Sequence, residues 1–533
     1  MKLYSTIACL LLFCSVGLSQ VTFSDDIADI IYNNCTNCHR TGEIGPMPFT
    51  NYQEVKDWGT MIKYVTEIGY MPPWSPNPEY KHLLNERVLT DEQKSKIASW
   101  VDNGMPQGNS QNEPDLPDFP TGSQIGSPDV VLQMAQSHTV LGDNKDEYYV
   151  FVLPTDFTED KEIACIEFRP DNKRAVHHVL IGYDVTGQAA ARDAQTPEYG
   201  YSSFGDFGVA GAEFLSWTYV PGDLPLVFPE GIGEVIPAGA DLLIQVHYAP
   251  LPTDEVDKSS VNIFFKGEDD PIERPVITGW VLPNNLPGGF ASFILPPNEV
   301  TEFTALNFDG WSNSGSGVNY DVSLVSVQPH GHLLAKSFEV FAVTPQNDTI
   351  NIVQIPEYDF NWQGAYTMPK LLPVPANSTW YTKAVYDNTV DNPYNPSNPP
   401  KFAFWGEGTE DEMLVNFFNF VVYQEGDENV VLGENILNSS IEVGALQNST
   451  LFAPHPNPSD GNFSLSFHLE TDMEIEIFLR DLQGSMIQSL KPKMSYETGF
   501  HEVAISATNL ISGVYLVELR SSFDQIQQKI VIR

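Results

Sequence analysis

Tyr148-Tyr149-Val150-Phe151-Val152-Leu153 is a run of aromatic and β-branched residues, and its reading settles the middle of the chain. It is too short for a buried helix, and its residues suit a pleated, half-buried surface, so it reads as a strand. Residues 242–248, 322–327 and 415–423 repeat the pattern, with Pro, Gly, Asn and Asp clustered between them. That alternation predicts an all-β layout of sandwich type. Ile163-Ala164-Cys165-Ile166 reads as one more buried strand, with Cys165 a packing residue and not a nucleophile.

Upstream the composition changes twice. Residues 108–128 carry few large apolar groups and read as a tether. Before them, residues 21–107 show helical signals. Ser24 can cap a helix with Ile27, Ile30 and Ile31 on one face, leading to Cys35. Thr50 and Gln53 form a capping-box pattern ahead of Val55, Trp58, Met61, Ile62 and Val65. Thr90 and Gln93 repeat it ahead of Ile97, Trp100 and Val101, and Gly104 stops that helix.

The first predicted helix delivers Cys35-Thr36-Asn37-Cys38-His39. Two thiols three positions apart can each add across a vinyl group of a haem, and the histidine that follows falls under the iron. A redox cysteine pair or half of a zinc site is the blander reading, but no second cysteine pair exists to complete a zinc cage. In Tyr70-Met71-Pro72-Pro73-Trp74, adjacent prolines stiffen the backbone after Met71, which suits a loop holding a thioether against iron. Met47 and Met61 are rivals for that place. The stretch resembles a small bacterial cytochrome c domain with a Met-Pro-Pro-Trp loop. The resemblance implies an all-α domain carrying covalent haem c on Cys35, Cys38, His39 and Met71.

The chain begins with Lys2 and an apolar run over residues 7–18, with Gly17 and Ser19 placed for cleavage before Gln20. Residues 1–19 therefore read as a secretory signal peptide, too short for an anchor, and no other apolar run is long enough to form a transmembrane segment. Cys9 and Cys14 leave with it. With Cys35 and Cys38 on haem, Cys165 stays alone and no intramolecular disulfide forms. Seventy acidic against 27 basic residues give a formal charge of −43, which repels phosphate backbones and makes nucleic acid an unsuitable partner.

Histidine is scarce, yet it gathers in the β region: His177-His178, His247 in Gln245-Val246-His247-Tyr248, and His330-Gly331-His332. Residues i and i+2 of a strand share a face, so His330 and His332 can hold one ion between them. Adjacent His177 and His178 would point oppositely, so sharing an ion requires a bulge or a strand end. Imidazoles without thiolate suit copper, zinc, iron or nickel. Met413, in Asp411-Glu412-Met413, adds a soft ligand that favours Cu(I).

His-His, a lone His, His-x-His and Glu-Met, in that order over about residues 127–425, resemble the copper type II ascorbate-dependent monooxygenases, such as peptidylglycine and dopamine β-monooxygenases. The resemblance implies two jelly-roll-like sandwich domains, 129–285 and 286–425, and two copper ions. His177, His178 and His247 would hold an electron-transfer copper. His330, His332 and Met413 would hold the catalytic copper that meets O2, across a wet cleft. Where the peptide-specific relatives carry Arg and Tyr for a peptide carboxylate, this chain has Gln328 and Phe417, which cannot form a charged pair. A small organic substrate is expected instead, with an external electron donor, a redox protein or an ascorbate-like reductant, feeding the haem. A non-catalytic copper-binding electron-transfer protein is the alternative. A zinc hydrolase would leave the haem and Met413 without a purpose.

After a linker over 426–448, residues 449–533 alternate again in Phe463–Phe467, 475–479, 512–517 and 528–532. This predicts a small Ig-like β-sandwich. Its Pro-Asn-Pro opening, Ser-Gly-Val-Tyr strand and Lys-Ile-Val-Ile end resemble the type A sorting domain of type IX secretion. That implies the secretion machinery as a partner and a place outside the cell or on its surface. The expected whole is multidomain: a small all-α domain, then mainly β, then the sandwich tail.

Overall fold

A computed structural model describes residues 20–117, 119, 122–126, 128–203, 205–307, 318–406, 408–433 and, between 450 and 533, the strands with most residues joining them. The expected signal peptide and most of the 426–448 linker lie outside the described residues. The chain is mostly β with few helices. Its contacts divide it into two units, residues 1–116 with 128–432, and residues 117–127 with 433–533.

The first unit opens with a π-helical turn, Phe23–Ile27, running into α1 (Ala28–Asn34). Next come α2 (Tyr52–Glu67) and α3 (Asp91–Asp102). Phe23, Ile27, Ile31, Val55, Ile62, Ile97 and Trp100 form a core between them. Thr90 and Gln93 cap α3 reciprocally, as their spacing predicts. The start of α2 differs: Asn51, not Thr50, caps it, and Glu54, not Gln53, accepts from the Thr50 backbone and hydroxyl. A carboxylate is the stronger acceptor, so it wins the place next to Thr50. The buried face of α2 is Val55, Gly59, Ile62 and Thr66, which leaves Trp58 and Met61 exposed. Gly59 sets this rotation, because a methyl group there would fall 2.4 Å from Met105 Sδ and 3.5 Å from Trp100.

This helical stretch is seamed to the β region within the same unit. Asn77 N donates to Gln354 O at 2.8 Å and Leu84 N to Thr367 O at 2.8 Å. Arg87 pairs with Asp223 at 3.2 Å.

The β region is two pairs of sheets. The strands that position the site are β1 (Glu147–Pro154), β2 (Val176–Asp184), β3 (Ala212–Tyr219) and β4 (Asp241–Tyr248) in the first pair. In the second they are β5 (Ile277–Val281), β6 (Val322–His330), β7 (Tyr366–Val374) and β8 (Val415–Val422). One sheet runs Tyr201–Ser202, β1, β4, β2, β3. It faces a second containing Lys161–Arg169, whose Cys165 is fully buried. The other pair is β5-β8-β6-β7 with a four-stranded partner. Strand alternation buries one face of each, and a continuous apolar core runs through both pairs.

The domain limits move from those expected. β5 pairs with β8, so the second half already begins near residue 277, not 286. It also runs past 425, because Leu371 N bonds Val430 O and Leu432 N bonds Pro369 O.

The second unit is a separate sandwich of a three-stranded and a four-stranded sheet. Phe463, Leu465, Phe467, Ile475, Ile477, Leu479, Val517 and Ile530 fill its core.

Candidate metal centre

β2 and β4 are antiparallel neighbours, with His178 opposite His247. Val176 pairs with Tyr248, so His177 is an extra residue and the ladder is bulged there. A bulge lets two consecutive side chains address one face. The result is three converging rings. His177 Nδ1 lies 3.1 Å from His178 Nδ1, and His247 Nδ1 lies 3.3 Å from His178 Nδ1. Tetrahedral ligands about 2.0–2.1 Å from an ion stand about 3.3 Å apart, so His178 sits at ligand spacing from both neighbours, and the ligand atoms of all three lie within 4.8 Å of one another.

Neighbouring groups fix the rings. Asp146, just before β1, holds His247 Nε2 at 2.7 Å. With Nε2 donating to the carboxylate, Nδ1 of His247 is left with its lone pair facing the cluster. Tyr148 stacks on His247 at 4.1 Å with the planes 5° apart. Burial holds His177 below the usual imidazole range, and burial with the neighbouring rings holds His178 and His247 well below it. All three are thus neutral and ligand-competent at pH 7.

The second group stands at the far end of β6. His330 and His332 rings are 5.2 Å apart and nearly perpendicular. His330 pairs with Val415 across β6 and β8, so two residues further on Met413 comes level with His332. Gly331 permits this, because a methyl group there would fall 2.8 Å from Ala335 Cβ and 3.2 Å from Met413 O. Glu412 ties the turn together by accepting from the backbone of His332, Met413 and Leu334. Burial pushes its carboxyl up to about 8. Tyr386 donates its hydroxyl to Met413 O at 2.8 Å. His332 Nδ1 lies 3.2 Å from Asp411 O and donates to it. Burial, then the neighbouring His332, pull His330 down to about 3. The Gln363 side chain faces His330.

The two groups do not face each other over open water at Phe360. Its ring lies 6.1 Å from His177, 6.5 Å from His247 and 5.8 Å from His332. That departs from the wet cleft implied by resemblance: an aromatic side chain covers part of the gap.

At the N-terminal site, α1 ends at Cys35, and His39 N bonds Cys35 O at 2.8 Å in one further turn. Cys35 and Cys38 are both free thiols. His39 Nδ1 lies 3.0 Å from Met47 O and donates to it, while Phe49 stacks on the ring at 4.5 Å. Nε2 then carries the lone pair and could bind a metal. The Met47 backbone carbonyl lies on the Nδ1 side of the ring, and Met61 is exposed. Met71 is tied to the end of α2 through Met71 N to Val65 O at 3.1 Å.

Sequence reasoning missed Asp146, Tyr148, Phe360, Gln363 and Tyr386 as parts of this arrangement. Only the cross-strand register of Tyr148 with His247 could have flagged any of them.

Residues 454–533 match the family described as the secretion system C-terminal sorting domain, so this part of the chain is a type IX sorting domain that directs the protein to the cell surface or beyond. No curated protein matches the chain. Among solved structures, the BSP domain of a biofilm-associated protein aligns at 10% identity over 78% of this chain and 84% of that one, with a TM-score of 0.14. A calcium-binding mutant of Bacteroides uniformis beta-glucuronidase 2 aligns at 11% identity over 44% of this chain and 26% of that one, with a TM-score of 0.11. Scores this low carry no argument about fold or activity. Among the described residues no helix is long and apolar enough to cross a membrane.

Proposed function

We propose that residues 20–432 are a haem- and copper-dependent monooxygenase, led out by a signal peptide and the sorting tail. It would hydroxylate a C–H bond of a small organic substrate with O2. The observation that carries this reading is the convergence of three imidazoles from two strands through a one-residue bulge, with His178 Nδ1 3.1 and 3.3 Å from those of His177 and His247. A trio of neutral histidines, one buried and two half-buried, has few structural uses, since three rings cannot all satisfy one another by hydrogen bonds.

His177, His178 and His247 would hold one copper, and His330, His332 and Met413 the other, where catalysis takes place. Copper supplies one-electron chemistry with O2 when bound. The chain's own residues orient the ligands: Asp146 holds one ring nitrogen of His247, and the Asp411 carbonyl holds one of His332. A small cytochrome c-like domain would carry covalent haem c, held by Cys35, Cys38, His39 and Met71. It would admit electrons from a redox protein or an ascorbate-like reductant. Gln328 donates to Gln363 O at 3.2 Å and lies opposite Phe417, so that wall of the site offers no cation for a substrate carboxylate. This supports a neutral substrate.

Phe360 supports a second reading. Its ring against both histidine groups leaves less room for a substrate, which favours a non-catalytic copper-binding electron-transfer protein. O2 uptake by copper-loaded protein, with reductant and a panel of neutral candidate substrates, separates the two. Substrate-dependent uptake with a hydroxylated product supports the monooxygenase. Uptake unaffected by every substrate supports the carrier.

A further inference from the structure

Residues 35–39 rest on the ends of β2 and β3. Asn37 Nδ2 donates to Gly222 O at 3.4 Å. Gly222 belongs to a turn closed by Asp223 N donating to Val220 O at 3.2 Å, straight after β3. It lies at φ +84°, and a methyl group there would fall 3.0 Å from Cys38 Sγ and 2.9 Å from Arg87 Nη1. Glycine is what lets the two surfaces meet this closely. Beside it, Glu43 accepts from Arg40 at 2.7 Å and also from Lys173, which leads into β2. β3 then runs straight to the histidines, because its last residue, Tyr219, pairs with Val179, next to His178. A second way runs through residues 359–366: Phe360 lies against His177 and His332, and Trp362 lines a small cavity with Trp74 and Arg87.

Resting on the haem-and-copper reading, we propose that the turn at residues 220–223 is the electron bridge from a haem on Cys35 and Cys38 to a copper on His177, His178 and His247. One electron leaves Fe(II), which becomes Fe(III), and enters Cu(II), which becomes Cu(I). No bond breaks and no proton moves. Electron transfer weakens steeply with every gap it must cross. The turn offers a hydrogen bond from Asn37, a short stretch of backbone and a strand pairing, whereas the way past Trp362 crosses a cavity. A merely structural turn would hold the two parts together without setting this rate.

The test uses the full chain with its haem attached and reduced and its copper removed, mixed anaerobically with Cu(II). Once copper saturates the chain, the reduced haem band should decay at a first-order rate that no longer depends on copper concentration. Gly222→Ala forces Cys38 and the turn apart. Asn37→Ala removes the hydrogen bond, and Asn37 is exposed, so the fold is not at risk. Each variant should slow the rate several-fold, with the haem spectrum and copper affinity as in the parent. Trp362→Leu, on the other way round, should leave the rate unchanged. A parent-like rate in both Asn37→Ala and Gly222→Ala, or a slower one in Trp362→Leu alone, overturns the bridge and leaves the haem-and-copper reading standing. So does a decay that stays proportional to copper concentration. No covalent haem, or no copper at the three-histidine group of the unmodified chain, overturns the reading beneath it.

Discussion

His177 shows how a single residue can decide a site. Without the extra position it occupies, regular alternation would turn it away from His178 and His247. Replacing His178 by Ala removes the nitrogen that lies next to both others. Copper per chain should drop from two to one, read by metal analysis, with the haem spectrum unchanged. A second residue-scale prediction concerns Glu234, whose carboxyl accepts from the backbone and hydroxyl of Ser216. Burial pushes it up to about 7 from 4.5. The folded chain then holds a proton that the unfolded chain gives up, so this group's contribution falls as pH rises from about 4.5 to about 7 and is flat above. At about 1.4 kcal/mol per pK unit, the loss is roughly 3 kcal/mol at most. Glu234→Gln should raise the thermal midpoint relative to the parent at pH 8 and change it little at pH 4.5. Parallel midpoints across that range would contradict it. The clustered histidines were legible because histidine is rare here and their spacing is strand-like. Asp146 was not, because an acid before a strand is an ordinary residue until the register puts His247 beside it.

At the scale of elements, the turn from β6 through Gly331 to His332 depends on close backbone approach from Met413. Gly331→Ala should cost about 1–3 kcal/mol through overpacking against Ala335 and Met413. The thermal midpoint should fall, and copper at the second group should weaken more than at the first. Equal loss at both groups would count against this local account. The strands themselves were readable, since β1, β4, β6 and β8 all fall on the apolar runs. Helix faces were less so. The pattern 55, 58, 61, 62, 65 looks amphipathic, but Gly59 opens a slot for Met105 and turns α2 by roughly a quarter-turn. Capping moved for a similar reason, with Glu54 displacing Gln53 at Thr50.

At the scale of the whole molecule, residues 1–116 with 128–432 and the tail sandwich have separate cores. A chain ending at residue 432 should therefore keep its metal content and the thermal transition of the first unit. It should also fail to reach the surface in a type IX-competent host. Loss of copper on removing the tail would contradict that separation. Domain limits were the least legible feature: β5 crosses into the second half before the expected boundary, and only its pairing with β8 reveals it. The central claim is two copper ions and one covalent haem in one chain. Metal analysis with an optical and paramagnetic resonance spectrum on purified, copper-loaded protein tests it most directly. The expected result is two coppers per haem with nitrogen-ligated Cu(II) signals and a c-type haem band that survives denaturation. Fewer than two coppers per haem, or no covalently held haem, would contradict it.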